Sequence, residues 1–250
     1  MISSALVEHA HPRESEVAGR TILVVDDERQ IVEVVRDYLR QAGFRVISAR
    51  DGQTAMSLVR RDQPDLVVLD LMLPGGMDGL DICREIRRDP ALTETPIVML
   101  TAKVELTDRL IGLELGADDY ITKPFSPREV VARTKAVLRR MEGHGAASAA
   151  LVVGELRLDL RGRQVTVSGR AVDLTPTEFD LLATMMREPG RVFTRMQLVE
   201  QVYDVAYEGY DRAIDSHISN LRQKIEPDSR KPTYIQTVYG VGYRLSGNPQ

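Results

Sequence analysis

The sequence predicts two domains: an α/β domain on a parallel sheet, then a small α+β domain. Three observations carry that expectation. At 250 residues the chain is long for a single core and suits about two domains of ordinary size. Between Thr21 and Arg140, short apolar strands alternate five times with helical stretches. From Leu151 the pattern changes to short alternating strands, three helices and a terminal hairpin.

Residues 1–19 lack apolar periodicity and read as a flexible extension. The first strand, Thr21–Val25, ends in acids. A helix follows from about Glu28 to Gln41, with Ile31, Val34, Val35 and Tyr38 on one face. Next come a strand at Phe44–Ser48, a helix at about Gln53–Arg61 and a strand at Leu66–Leu69. After a Pro/Gly turn there is a helix near Leu80–Arg88, the strand Ile97–Leu100 and a helix near Leu106–Leu115. The short strand Tyr120–Ile121 and the helix Pro127–Arg140 complete the domain, set at residues 20–140. Short, continuously apolar strands alternating with helices imply a parallel sheet covered on both faces. Residues 141–151, small or polar after the last helix, read as a linker. In the second domain, residues 152–246, Glu155–Leu160 and Gln164–Ser168 suggest an antiparallel meander. Helices are expected at Thr177–Arg187, Arg195–Val202 and Arg212–Ile225. Tyr234–Val238 and Tyr243–Leu245, joined by Tyr239–Gly242, form the hairpin.

Composition narrows the function classes. Hydrophobic residues make up 43% and charged residues 28%, the balance of a globular protein. No apolar run approaches the roughly 20 residues a bilayer crossing needs, so no membrane association is expected. The first residues show no basic n-region and no long apolar stretch, and the lone Cys83 cannot form an internal disulfide; the cytoplasm is the expected compartment. Residues 151–250 hold 13 basic and 13 acidic residues, so the net charge of −4 belongs to the first 150. Bulk charge therefore does not argue for a nucleic-acid partner.

Asp26 and Asp27 end the first strand and Asp70 the third. In a parallel sheet, ligands bind at the carboxyl ends of strands near the point where strand order reverses. Three carboxylates gathered there repel one another, so protons or a cation must intervene, and Mg²⁺ suits a partly hydrated oxygen site. Lys123 follows the fifth strand and Thr101 the fourth. A carboxylate nucleophile, a metal, a lysine and a hydroxyl make an apparatus for receiving a phosphoryl group. Singly, each residue reads as a turn, cap or solvated acid; their placement on four strand ends favours a site.

The stretches LVVDDE (Leu23–Glu28), VVLDLMLPG (Val67–Gly75), MLTA (Met99–Ala102) and GADDYITKPF (Gly116–Phe125) resemble the receiver domain of two-component response regulators, with its flavodoxin-like (βα)5 fold. The resemblance implies that Asp70 is the phosphoacceptor. Asp27 would bind Mg²⁺ directly, Asp26 largely through water, and the Met72 carbonyl would be a further ligand beside Asp70. Lys123 would contact the phosphoryl group, placed by a cis peptide before Pro124, and Thr101 and Tyr120 would form the switch pair. One departure is an extra glycine at Gly75-Gly76, which lengthens the loop beside Asp70.

Arg109, Asp118, Asp119, Glu129, Arg133 and Arg140 read by themselves as a solvated mixed-charge face. Their pattern also resembles the OmpR/PhoB-type subfamily, in which such residues form a symmetric dimer face through intermolecular ion pairs. In Arg212–Ile225 the residues Ile214, Ile218, Leu221 and Ile225 make one buried stripe. The polar remainder suits a helix in the DNA major groove, and equally any exposed helix. LTPTEFDLL, PGRVFTRMQL, DRAIDSHISNLRQKIE and IQTVYGVGYRL resemble the winged-helix DNA-binding domain of the same family. That resemblance implies a recognition helix at Arg212–Ile225. Ser216, Ser219 and Asn220 would then face bases, and Arg212, His217, Arg222 and Lys224 phosphates, with His217 open to a packing role. Thr237 and Tyr239 belong to the wing, where Tyr239 stands in place of the usual arginine. Tyr203–Tyr210 would be a loop that in some members contacts RNA polymerase.

The sequence thus reads as a phosphorylation-dependent transcriptional regulator served by a sensor histidine kinase and Mg²⁺. It would dimerise on phosphorylation and bind tandem promoter half-sites on double-stranded DNA. It would not be an enzyme beyond gain and loss of its own phosphoryl group. The alternative is a phosphoryl-responsive protein whose winged helix binds a protein partner.

Overall fold

The computed structural model describes residues 19–102, 116–142, 150–203 and 210–246. The expected helix near Leu106–Leu115, the extension up to residue 18, most of the linker and residues 204–209 lie outside the described residues.

Five parallel strands form the first sheet: β1 (Thr21–Val25), β2 (Arg45–Ala49), β3 (Leu66–Asp70), β4 (Ile97–Ala102) and β5 (Asp119–Lys123). They lie in the order β2-β1-β3-β4-β5. The order reverses between β1 and β3, so the loops after those strands diverge and leave a crevice at their carboxyl ends. The helices are α1 (Arg29–Gln41), α2 (Gly52–Asp62), α3 (Gly79–Arg88) and α4 (Pro127–Glu142). β-strand alternation divides the core. Ile22, Val24, Leu66, Val68, Val98 and Leu100 pack with Val35, Leu39, Val130 and Val137 on the α1/α4 side. Leu23, Val25, Val67, Leu69, Ile97 and Met99 pack with Ala55, Val59, Ile82 and Ile86 on the α2/α3 side. β4 and β5 outrun the sequence reading by two or more residues: β4 reaches Ala102 and β5 starts at Asp119 and ends at Lys123. Apart from Ala102 the added residues are polar, and cross-strand pairing rather than apolar character extends the strands.

The α3 start is tightly specified. Asp78 and Asp81 form a reciprocal capping box. A Cβ at Gly79 would lie 2.1 Å from the Asp70 carbonyl oxygen, so only glycine lets α3 begin this close to β3.

The second domain opens with an antiparallel sheet, β6 (Leu151–Val153), β7 (Leu156–Asp159), β8 (Gln164–Val167) and β9 (Arg170–Val172). Then come α5 (Pro176–Arg187), β10 (Val192–Thr194), α6 (Arg195–Tyr203), α7 (Tyr210–Ile225) and the hairpin β11 (Ile235–Val238) and β12 (Gly242–Leu245). Thr175, Pro176 and Glu178 start α5 with a capping box and a proline in the first turn. β10 pairs with β12 to make the terminal sheet three-stranded. A three-residue strand carries too little alternation to announce itself in sequence. The buried side chains of this domain are continuous with the α2/α3 side of the first.

Candidate functional sites

The crevice at the reversal point holds the three acids. One oxygen each from Asp26, Asp27 and Asp70 lies within 4.8 Å of the others. Asp26 is fully buried and Asp70 nearly so. The Lys123 ammonium donates to Asp26 Oδ2 at 2.8 Å and to Asp70 Oδ2 at 2.9 Å. Asp26 Oδ1 accepts from the Glu28 N–H at 2.9 Å and Asp70 Oδ1 from the Met72 N–H at 3.3 Å. Burial pushes both carboxyls above the ordinary range; the Lys123 hydrogen bonds oppose it, and at Asp70 the neighbouring Asp26 charge adds to the rise. For Lys123, burial disfavours the ammonium, but the bonds and fields of Asp26 and Asp70 outweigh it and raise its pKa. One ammonium among three gathered carboxylates leaves net negative charge, and an all-oxygen donor set of this kind fits a hard divalent cation.

The other expected members of this site sit around the crevice. The Lys123–Pro124 peptide is cis. Thr101, on β4, pairs in register with Thr122, while Tyr120 pairs with Met99. In-register partners of parallel strands share a face, so Thr101 and Tyr120 point to the same side of the sheet; both are buried. The Met72 side chain is 75% exposed at the mouth of the loop. A Cβ on either Gly75 or Gly76 would meet nothing within 4 Å, so the extra glycine lengthens the loop into open space.

The second set of residues is divided. In α7, the stripe Ile214, Ile218, Leu221 and Ile225 is buried. Ser219 is exposed and Asn220 half-buried. Lys224 is ion-paired with Glu178 at 2.7 Å. Arg222 does not project into solvent as a phosphate contact would. Its guanidinium donates to the Ile235 carbonyl at 2.8 and 3.0 Å and to Thr237 Oγ1 at 2.8 Å, tying α7 to the hairpin. Tyr239, at the hairpin tip, is 93% exposed. The Arg212 side chain and Arg109 lie outside the described residues.

Two polar residues of α7 are buried as well as the apolar stripe. With about 100° per residue, Ser216 lies roughly 200° round the helix from Ile214, yet it is only 7% exposed. His217 is fully buried, so in this conformation it takes the packing role rather than a phosphate-facing one. Its Nε2 meets the Tyr203 hydroxyl at 3.0 Å, and Nδ1 has no partner among the described residues. Burial pushes the imidazole down to about 4, with the Arg140, Arg87 and Lys224 charges assisting and Asp118 opposing.

The first domain lies beside α7. Asn220, Gln223 and Lys224 of α7 share a recess with Arg84, Arg87, Arg88 and Gly116. Asp118, fully buried, bridges the domains. Its Oδ2 accepts from Arg87 Nη2 and from the Ile97 N–H, both at 2.8 Å. Its Oδ1 accepts from the Thr177 N–H and Oγ1, both at 3.1 Å. A carboxylate of the first domain thereby satisfies a free N–H in the first turn of α5, where the helix dipole also favours negative charge. Arg140 donates to the Val202 carbonyl at 2.6 Å, with its guanidinium 5.2 Å from the Tyr203 ring centroid. Sequence reading put Asp118 and Arg140 on an intermolecular face; here both reach the chain's own second domain. Arg133 pairs within the chain as well, with Asp119 at 3.2 Å and with Glu129 at 3.2 Å. No sequence signal pointed to Thr177 or Arg87, because their roles depend on residues 59 and 31 positions away.

Comparisons with known proteins match both domains. Residues 22–135 fit the family model of the response regulator receiver domain, and residues 169–245 that of the transcriptional regulatory protein C-terminal domain. The transcriptional regulatory protein BaeR of Escherichia coli is 49% identical over 223 residues, spanning 89% of this chain and 91% of that protein. The alkaline phosphatase synthesis transcriptional regulatory protein PhoP of Bacillus subtilis is 44% identical, spanning 91% and 97%. The DNA-binding response regulator MtrA of Mycobacterium tuberculosis is 46% identical, spanning 89% and 95%. Two solved mutants of RitR superpose with TM-scores of 0.72 and 0.73 at 31% identity, covering 91% of this chain and 99% of theirs.

Proposed function

The chain belongs to the OmpR/PhoB family of two-component response regulators, DNA-binding regulators of transcription governed by phosphorylation, and from that premise we propose how its own residues do the work. Asp70 is the phosphoacceptor. The observation that carries this is its pairing with Lys123 in the crevice it shares with Asp26 and Asp27. An Asp70 oxygen attacks the phosphorus of a kinase phosphohistidine; the P–N bond breaks as the P–O bond forms, and the imidazole keeps the electron pair and takes a proton. Lys123 then lies within reach of the new phosphoryl oxygens and offsets their charge. Asp26, Asp27, Asp70 and the Met72 carbonyl would hold Mg²⁺, which when bound neutralises charge on the transferring group.

Phosphorylation adds nearly two negative charges beside Lys123 and biases the Thr101/Tyr120 pair on the same sheet face. The conformation described above is the resting one. Asp118 and Arg140 are occupied by the second domain and Ser216 of α7 is buried, so the dimer face and the full DNA-reading face become available together when the domains part. Freed pairs such as Asp118 and Arg140 then set the register of a two-fold dimer, and α7 enters the major groove of each tandem half-site with Tyr239 near the flanking minor groove. The site of action is the cytoplasm, where kinase output and promoter DNA meet; contact between residues 203–210 and RNA polymerase belongs to the same reading.

The test is selection of genomic DNA fragments by the purified protein, with and without a small-molecule phosphodonor and Mg²⁺. Enrichment of a tandem repeat that strengthens with phosphodonor is expected, and Asp70→Asn should remove the strengthening. A phosphodonor response that survives Asp70→Asn would assign the acceptor elsewhere. No enrichment under either condition would favour a protein partner for the winged helix.

A further inference from the structure

Between the two domains runs a cleft that neither phosphorylation nor DNA reading accounts for. Its larger chamber, about 540 Å³, opens between the end of α3, the β9 edge and the end of α7. A second recess of about 340 Å³ adjoins it along α3 and α7, sharing Arg87, Arg88 and Lys224. Both volumes are of the size that takes small organic ligands, and such sites favour domain boundaries.

The walls are predominantly basic. Cations arrive from three elements: Arg84, Arg87 and Arg88 from α3, Arg170 from β9 and Lys224 from α7. Of the acids among them, Asp173 is exposed on the chamber wall, and the other two are engaged elsewhere. Glu226 spends both carboxylate oxygens on the N–H groups of Thr233, Tyr234 and Ile235. Glu178 accepts the Thr175 N–H within its capping box and carries Lys224. Arg88, by contrast, has a side chain 76% exposed and its paired carboxylate, Glu85, is 3.9 Å away. Arg170 is exposed and has no ion pair among the described residues. The chamber also has an apolar wall, from Val167, Ala171 and Val172 of the second sheet and Ile225 of α7. Unspent guanidinium donors beside an apolar wall suit an anion with an organic body, and guanidinium groups favour phosphate oxygens in particular.

We propose that this cleft binds a small organic phosphate of nucleotide size, its phosphates on Arg88 and Arg170, with Arg84 and Lys224, which are ion-paired with Asp81 and Glu178, adding positive field nearby, and its body against Ala171 and Val172. The ligand touches both domains, so it binds the closed arrangement and stabilises it by the factor 1 + [L]/Kd. Asn220, Gln223 and Lys224 line the recess and belong to the helix assigned to DNA, so ligand and DNA exclude one another. This coupling rests on the proposed DNA-reading role of α7; the binding does not. At a ligand concentration of 100 Kd, apparent DNA affinity falls by up to about 100-fold.

The experiment is calorimetric titration of the unphosphorylated full chain with ATP in EDTA, with inorganic triphosphate as a second arm. Saturable one-to-one binding of ATP is expected, weakened at least tenfold by Arg88→Glu combined with Arg170→Glu. Both positions are exposed, so the variant should melt like the parent without ligand. Triphosphate should bind more weakly than ATP, since it lacks a body for the apolar wall. Absence of saturable binding, binding indifferent to the charge reversals, or equal binding of the two probes would overturn the site as proposed. Addition of ATP should then weaken binding of a selected promoter fragment by the parent but not by the double variant. DNA affinity unchanged at saturating ATP would overturn the coupling alone, and DNA binding measured without ATP reports separately on the function of α7.

Discussion

Thr177→Val is the most direct test of closure as the resting state. The substitution keeps side-chain volume and removes only the hydroxyl, whose bond to Asp118 Oδ1 is 3.1 Å long and buried. Asp118 is not left bare, because it retains the Thr177 N–H, the Ile97 N–H and the Arg87 guanidinium. Asp118→Asn would be a blunter tool, since it would also weaken the Arg87 ion pair inside the first domain. A hydrogen bond to a charged, buried acceptor is worth about 1.5–3 kcal/mol net. If that bond holds the domains together, its loss shifts the closed–open balance by roughly tenfold to a hundredfold. Unphosphorylated Thr177→Val should therefore bind a selected promoter fragment more tightly than the parent by about that factor. Fluorescence anisotropy at fixed salt reads this directly. The phosphorylated forms should bind alike, since both are already open. Equal affinity of the unphosphorylated parent and a fully folded Thr177→Val would refute the claim that this contact restrains DNA binding.

Gly79→Ala forces a Cβ to within 2.1 Å of the Asp70 carbonyl, where backbone must move; we expect a loss of about 2 kcal/mol or more in urea unfolding together with slower phosphorylation. Parental stability in that variant would mean the approach of α3 to β3 is loose. Burial holds His217 near 4, below its unfolded value of about 6.5, so the unfolded chain binds the extra proton between those values. Stability from this group is complete above about pH 6.5 and is lost as pH falls toward 4, at about 1.4 kcal/mol per pH unit. Urea midpoints of parent and His217→Gln compared from pH 7.5 to 5 should converge as pH falls; a constant gap would sink the assignment. Tyr239→Arg adds a cation at the exposed hairpin tip and should steepen the salt dependence of DNA binding by about one phosphate contact, an effect absent if the tip does not approach the backbone.

Much of this protein follows from local pattern alone. Apolar runs at Thr21–Val25 and Leu66–Leu69, each closed by acids, specify buried parallel strands whose ends must meet. The crevice of Asp26, Asp27, Asp70 and Lys123 was therefore legible before any coordinates. The stripe of Ile214, Ile218, Leu221 and Ile225 likewise fixed which side of α7 faces its own core. Three-residue β10 was not legible, since it exists only because β12 pairs with it.

The sequence reading went furthest astray where a side chain has a second partner. Helical periodicity reports one buried face, so it left Ser216 on the outside, while the family resemblance made Arg222 a phosphate contact and left His217 open to packing. Tertiary structure gave Arg222 to the hairpin and His217 to Tyr203. Asp118 looked like one more surface acid because nothing near it in sequence needs a carboxylate. Its partner is the first turn of a helix 59 residues later. What the sequence determined by itself is whatever short-range periodicity and strand-end chemistry enforce: the elements, the sheet and the acidic crevice. What only the tertiary structure decided is which finished surfaces meet, because the hydrogen bonds that hold buried Asp118 and His217 come from chain segments distant in sequence.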